Sequence, residues 1–185
     1  SLMKVLVISL SIFLIIFSKA YSEITKKIVN TLEKSNNYSF KFIQKINEKK
    51  ETGDCILVFD RKINCKYDNT GKILISDGKN LIVKYKNSNI PNFYKLENTS
   101  FYRLLDKQFL IDQLKENNVR SENDILFVDL NYQNIDIKIF FDKKKLYLKG
   151  WQTIDIYNNS VLTEINIQKI NENVSEELFN IKKFN

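Results

Sequence analysis

Apolar residues along the chain keep two rhythms. Between residues 38 and 85 they alternate with polar ones. Tyr38, Phe40 and Phe42 make one such run; Cys55, Leu57 and Phe59 make the next. Ile63, Cys65 and Tyr67 follow, and then Leu81, Val83 and Tyr85. Period two over short runs rich in aromatic and branched side chains predicts antiparallel strands that lay large side chains on one sheet face. Strands are expected over 38–48, 53–59, 63–67, 72–76 and 80–86. A weaker strand over 90–96 is confined to an edge or bulge by Pro91. Further strands are expected over 124–130, 136–141, 146–152 and 162–170, where Ile135, Ile137, Ile139 and Phe141, and later Ile165 and Ile167, alternate in the same way. Asp77-Gly78 suits a type I′ hairpin turn.

The period lengthens to three and four in two places. Over 23–34, Ile24, Ile28 and Leu32 make one helical stripe. Ser22 is placed to cap this helix, and Glu23 suits the positive end of its dipole. Over 98–117, Phe101, Leu104, Leu105, Phe109, Leu110 and Leu114 predict one helix broken near Lys107, or two short ones, capped by Thr99 or Ser100. This insertion interrupts a run of strands, so it is expected to cross the sheet face or plug one end. A last short helix or turn over 175–181 would dock through Leu178 and Phe179. The fold class expected is mainly β (α+β). It is a strongly curved antiparallel sheet, or unclosed barrel, of about ten strands with helices against the concave side.

That order raises the question of what covers the apolar face. Two helices with one stripe each do not fill a ten-stranded sheet, which predicts a hydrophobic pocket between the layers. Its floor would be Tyr38, Phe40, Phe42, Leu57, Phe59, Ile63, Cys65, Tyr67, Leu81, Val83 and Tyr85. Its lid would be Ile24, Ile28, Leu32, Leu104, Leu105 and Phe109. A fully packed core is the other reading of the same residues.

Composition narrows the chemistry. No His is present, which excludes Ser-His-Asp and Cys-His catalysis and weakens any metal site. No Gly-rich phosphate loop occurs. No cofactor and no metal are expected, and binding is favoured over catalysis. The 13-residue apolar run from Val5 to Phe17 follows Met3-Lys4 and precedes small residues at Ser18, Ala20 and Ser22. It reads as a cleavable export signal over 1–22, ahead of a single domain over 23–185; an uncleaved anchor is the alternative. Removing Lys4 and Lys19 with it leaves 27 basic against 22 acidic residues, a net charge of +5. The charges are dispersed, so nucleic acid is not an expected partner. Cys55 and Cys65 are the two cysteines. A three-residue turn at 59–61 sets them opposite one another, within reach of a disulfide; a four-residue turn sets Cys55 against Lys66 and forbids it.

Several of these stretches together resemble a known family. Tyr38 through Gln44 is similar to an aromatic-x-x-x-Phe-x-Gln first strand. The run from Gly53 to Asp68 keeps the length and apolar positions of a second–third strand hairpin. Ser76-Asp77-Gly78-Lys79, with Leu81 and Tyr85, looks like a Ser-Asp-Gly-Lys turn, and Leu104-Leu105 falls at a leucine pair. Leu148 to Trp151 with Asp155, then Val161 to Thr163, Asn173 and Phe179, resembles the C-terminal pattern of alphaproteobacterial members. The family is that of the periplasmic outer-membrane lipoprotein carrier proteins of Gram-negative bacteria, LolA. The resemblance implies an unclosed barrel whose cavity, lidded by helices, binds lipoprotein acyl chains. It implies a monomeric shuttle between an inner-membrane ABC-type releasing complex and an outer-membrane receptor. The family usually carries Arg-Pro at the hairpin turn, where the Arg latches the lid. Here Phe59 and Asp60 stand at those positions, and Cys65 stands where an aromatic is common. Arg61 and Arg103 are the candidate substitutes for the latch. Another exported lipid-binding or receptor protein on this scaffold, or an interaction domain with a solid core, are the alternatives; the lack of a lipobox Cys speaks against a lipidated receptor.

Overall fold

The structure, a computed structural model, describes residues 22–132, 134–154 and 158–184. The expected export signal, apart from Ser22, and Asp155 lie outside the described residues. Helix α1 (Glu23–Glu33) leads into β1 (Asn37–Ile46), β2 (Lys49–Val58), β3 (Lys62–Tyr67), β4 (Ile73–Asp77), β5 (Asn80–Lys84) and β6 (Asn92–Lys95). A 3-10 turn at Leu96–Asn98 then opens the helical insertion, α2 (Phe101–Leu104) and α3 (Lys107–Glu116). Strands β7 (Arg120–Glu122), β8 (Ile125–Tyr132), β9 (Ile135–Asp142), β10 (Leu148–Ile154) and β11 (Ser160–Ile170) complete the sheet.

All eleven strands form one antiparallel sheet in the order β6-β5-β4-β3-β2-β1-β11-β10-β9-β8-β7. The first and last strands of that order do not meet, so the barrel is unclosed. Strand β1 lies at the centre because it pairs with β2 on one side and with β11, the last strand in the chain, on the other. The eleventh strand is β7. Its three residues, Arg120, Ser121 and Glu122, are all exposed and polar, so no apolar alternation announced it. The ladder slips register where β10 meets β9 between Leu148 and Gly150, and where β1 meets β11 between Ser39 and Phe40. Gly150 has a φ of +154°, and a Cβ there would collide with the Thr163 carbonyl oxygen, so only glycine lets β11 approach this closely.

The hairpin turn at 77–80 departs from the expected geometry. A type I′ turn needs positive φ at both central residues. Gly78 has it (+99°), but neither Asp77 nor Lys79 does. The Asp77 carboxylate instead caps the turn, accepting from the amides of Lys79 (2.8 Å) and Asn80 (2.7 Å). A side-chain acceptor thus replaces the backbone twist that the sequence suggested.

The Ser22 hydroxyl accepts from the Thr25 amide and caps α1. The helix buries Ile28, Val29 and Leu32 on the inner face of the sheet, where the main core lies. A smaller core of Ile75, Ile82 and Ile181, flanked by Ile73 and Phe184, lies on the outer face. The segment after β11 reaches it by crossing that face. It is held at Asn37, whose amide exchanges hydrogen bonds with Glu172, and at Asn64, which donates to the Leu178 carbonyl. Phe179 is buried in this crossing and Leu178 half-buried.

Candidate functional site

Strand register assembles the inner face into rows. Tyr38 sits opposite Leu57, Leu57 opposite Ile63, and Ile63 opposite Ser76, which in turn faces Leu81. One row further on, Phe40, Cys55, Cys65, Leu74 and Val83 align; Phe42, Gly53 and Tyr67 make the next. Of the eleven floor residues expected, nine are buried in the main core, and Val83 packs against it half-buried. Tyr85 does not belong to it. Strand β5 ends at Lys84, so the inward parity stops there, and the Tyr85 ring is 48% exposed. The far half of the face is built by Leu126, Val128, Ile137, Ile139, Phe141 and Trp151. The alternation at 135–141 carried this signal, although those residues were not assigned to the floor.

The helices lie directly on these rows. Ile28 and Leu32 of α1, Leu104 of α2, the linking Leu105, and Leu110, Ile111 and Leu114 of α3 share one buried cluster with the floor; Ile24 and Phe109 flank it. In this arrangement floor and lid are packed on each other. Phe141 and Trp151 from the second half of the sheet, together with Tyr38 and Tyr147, fill the space that two narrow stripes alone leave. Tyr38 meets Phe59 and Tyr147 edge-to-face, at ring separations of 5.4 and 6.2 Å. A hollow of about 630 Å³ opens on the outer face instead, with Ile43, Phe140 and Leu162 among its walls and Lys41, Asp54 and Glu164 among its charged groups.

One polar cluster joins floor to lid. The β2–β3 turn is the three-residue kind, since Val58 pairs with Lys62. Asp60 and Arg61 both have positive φ, at 78° and 75°, which costs about 1–2 kcal/mol per non-glycine residue. The turn aims Arg61 at the helices. Its guanidinium forms a salt bridge with Asp106, donates to the Tyr102 carbonyl (3.3 Å) and lies 4.3 Å from the Tyr102 ring centre. Its backbone amide donates to the Leu105 carbonyl (3.2 Å). Asp106 has a second task, because its other oxygen caps α3 by accepting from the Phe109 amide (3.0 Å). Behind the turn, the wholly buried Ser76 donates to the Arg61 carbonyl (2.8 Å) and accepts from the Gly78 amide (3.0 Å). The Ser-Asp-Gly turn therefore braces the Arg61 turn. The sequence marked that motif as a turn only; nothing in it pointed to Asp106.

Arg103 is engaged differently. Its guanidinium donates to the Tyr132 hydroxyl and lies 4.1 Å from that ring's centre and 5.2 Å from that of Phe109. It ties α2 to the tip of the β8–β9 hairpin, and its buried Nε has no hydrogen-bond partner. A third link is Lys107, whose ammonium donates to the Ser35 carbonyl (2.9 Å) and so joins α3 to the end of α1.

Cys55 and Cys65 are bonded, with Cα atoms 4.1 Å apart, in the facing register that the three-residue turn permits. Burial pushes the Tyr38 phenol up to about 12, offset only in part by neighbouring Ser35; its hydroxyl has no partner in good geometry. Tyr67 is raised by burial and by the nearby Glu51 carboxylate. Among the described residues no three His, Cys, Asp or Glu side chains gather as a metal site, and no helix is long and apolar enough to cross a membrane.

The profile of the family described as "Outer membrane lipoprotein carrier protein LolA" matches residues 33–182. No curated protein sequence matches the chain. Among solved structures, a LolA superfamily protein from Nitrosomonas europaea is similar at 6% identity, over 86% of this chain and 98% of that one, with a TM-score of 0.46. A DUF1329 family protein from Desulfovibrio piger is similar at 8% identity over 88% and 97% of the two chains, TM-score 0.44. The Pseudomonas aeruginosa MucA/MucB complex contains a chain similar at 7% identity over 88% and 62%, TM-score 0.40.

Proposed function

Since the chain belongs to the outer membrane lipoprotein carrier protein (LolA) family, we propose that it is a periplasmic carrier that shelters the acyl chains of lipoproteins between its sheet and its helices. It acts by binding rather than by catalysis. Each methylene taken out of water is worth about 0.8 kcal/mol, so an acyl chain enters only if comparable apolar surface is offered. The inner rows offer it once the helices lift. When the site is empty the same rows are satisfied by Ile28, Leu32, Leu105 and their neighbours. The empty carrier is therefore stable, and cargo competes with its own lid.

The observation that carries this reading is the position of Arg61. It bonds across the boundary between an otherwise apolar floor and lid, at the break between α2 and α3. Arg61 is the latch, and its partner Asp106 is the catch; Arg103 acts as a second tie at the far end. In this role the protein, freed of its N-terminal signal on export, receives cargo from an inner-membrane ABC-type releasing complex and delivers it to an outer-membrane receptor.

A fluorescent fatty-acyl probe tests the site. The wild type is expected to bind it, and Asp106→Asn, which keeps a capping oxygen but loses the ion pair, to bind it faster. Ile63→Asp places a carboxylate in the floor and is expected to abolish binding. Unchanged uptake in a folded Ile63→Asp protein, together with unchanged kinetics in Asp106→Asn, would sink the assignment. Native purification from the periplasm with mass spectrometry then identifies the cargo.

A further inference from the structure

Six large hydrophobic side chains are exposed among the described residues, and four of them belong to the β5–β6 hairpin: Tyr85 (48%), Ile90 (78%), Phe93 (47%) and Tyr94 (48%). The register puts Phe93 opposite Ile82 and Tyr94 opposite Leu81, so the two rings leave opposite faces of the edge strand. Ile90 stands at the tip, where the Ser88 hydroxyl donates to its carbonyl (2.8 Å), and the buried Pro91 anchors the return. The apolar groups thus surround a free end of the sheet instead of forming one flat face. The charges on the hairpin itself are of a single sign. No acidic residue occurs between Asp77 and Glu97, whereas Lys79, Lys84, Lys86 and Lys95 do. Lys183 joins them, since it and Lys84 both flank the Phe184 ring, at 5.5 and 5.8 Å.

We propose that this hairpin docks the protein on an anionic lipid bilayer. Exposed rings and an isoleucine at a projecting tip suit the boundary between headgroups and acyl chains, and each nearby lysine adds attraction to anionic lipid that salt screens. A protein strand added along the free edge is the competing occupant. The edge suits it poorly: β6 has only four residues and follows directly on a proline, which offers no backbone donor. The hairpin also feeds straight into the insertion. After Lys95 comes the buried Leu96, whose amide donates to the Lys79 carbonyl (3.0 Å), and then the turn that opens α2. A docked hairpin holds the entry to the lid at the membrane surface.

This inference goes beyond the acyl-chain reading and is measured apart from it, because it concerns empty protein on bare lipid. Co-sedimentation of the purified protein is read with vesicles of phosphatidylglycerol and phosphatidylcholine, and with vesicles of phosphatidylcholine alone. Binding at least tenfold tighter to the anionic vesicles is expected, weakening as salt rises. The double variant Ile90→Asp, Phe93→Asp alters only exposed side chains and is expected to lose at least tenfold; Lys86→Glu with Lys95→Glu is expected to lose binding on the anionic vesicles. Tryptophan emission of Ile90→Trp should shift to the blue on those vesicles. Equal sedimentation of the hairpin variants and the wild type, or no sedimentation at all, overturns the proposal. So does a cross-linker at residue 90 that captures a protein while vesicles stay unbound, which would favour the added strand.

Discussion

On the inner face of the sheet, Tyr38, Leu57 and Ile63 lie under helices that reach the strands through Arg61 and Arg103 and one another through Lys107. On the outer face, Ile75 and Ile82 lie under Ile181 and Phe184, on a segment tied down from Asn37 to Asn64. Both faces exclude water, but by different constructions. The outer cover is the continuation of the last strand, fixed along its path by amide bonds. The inner cover is two separate pieces of chain with a break at Leu105-Asp106, and one of its polar ties bridges that break. The inner layer holds more apolar surface, under a cover whose polar ties are few. The outer layer holds less, under a cover without such a joint.

The largest expected effect probes that contrast directly. Tyr38→Ala removes a central inner side chain and should cost about 3–5 kcal/mol in urea unfolding, against about 2 kcal/mol for Ile181→Ala outside. Equal costs would break the contrast. Next, replacing Cys55 and Cys65 together by Ser should cost about 2–3 kcal/mol, read as a lower melting temperature, because the bond closes a short loop in the unfolded chain. A thiol count of two in the denatured, unreduced protein would show that the bond does not form.

Tyr38→Phe separates the ring from its hydroxyl. The hydroxyl is buried without a partner, so its loss should be neutral or slightly stabilising near pH 7. The phenol of the folded protein holds its proton up to about 12, above the ordinary 10.0 of the unfolded chain. The group therefore leaves stability independent of pH below 10, and its ionisation in the unfolded chain lowers stability as pH rises through 12, by about 2–3 kcal/mol. Unfolding measured between pH 9 and 12 should show a correspondingly shallower decline in the Phe variant. The smallest effect is expected outside. Lys62→Ala breaks a pair with Glu176, which is 75% exposed, and should change stability by less than about 0.5 kcal/mol.

Parity made most of the inner face legible. Where strands run in full, as at 38–42 and 63–67, alternate residues point inward whatever the neighbours are. Parity failed at Tyr85 because the strand stopped one residue short, and the stopping point depends on tertiary pairing. It missed β7, which has no apolar residue to alternate. The family-like Ser76 motif was visible, but its bracing of Arg61 was not, since that bond crosses from β4 to the β2–β3 turn. Asp106 escaped notice for a related reason: an aspartate before a helix reads as a cap, and a cap does not announce a second partner 45 residues away.

The cross-strand sulfur bond has a mechanical consequence. It rivets β2 to β3 between Cys55, five residues before Asp60, and Cys65, four residues after Arg61, and Ser76 props the same bend from behind. The arm that carries Arg61 is thereby stiffened along its length. On the carrier reading proposed above, slack for parting the two layers would come from the helical side, at the two-residue joint of Leu105 and Asp106, with the strands as the fixed jaw of a clamp and the helices as the moving one.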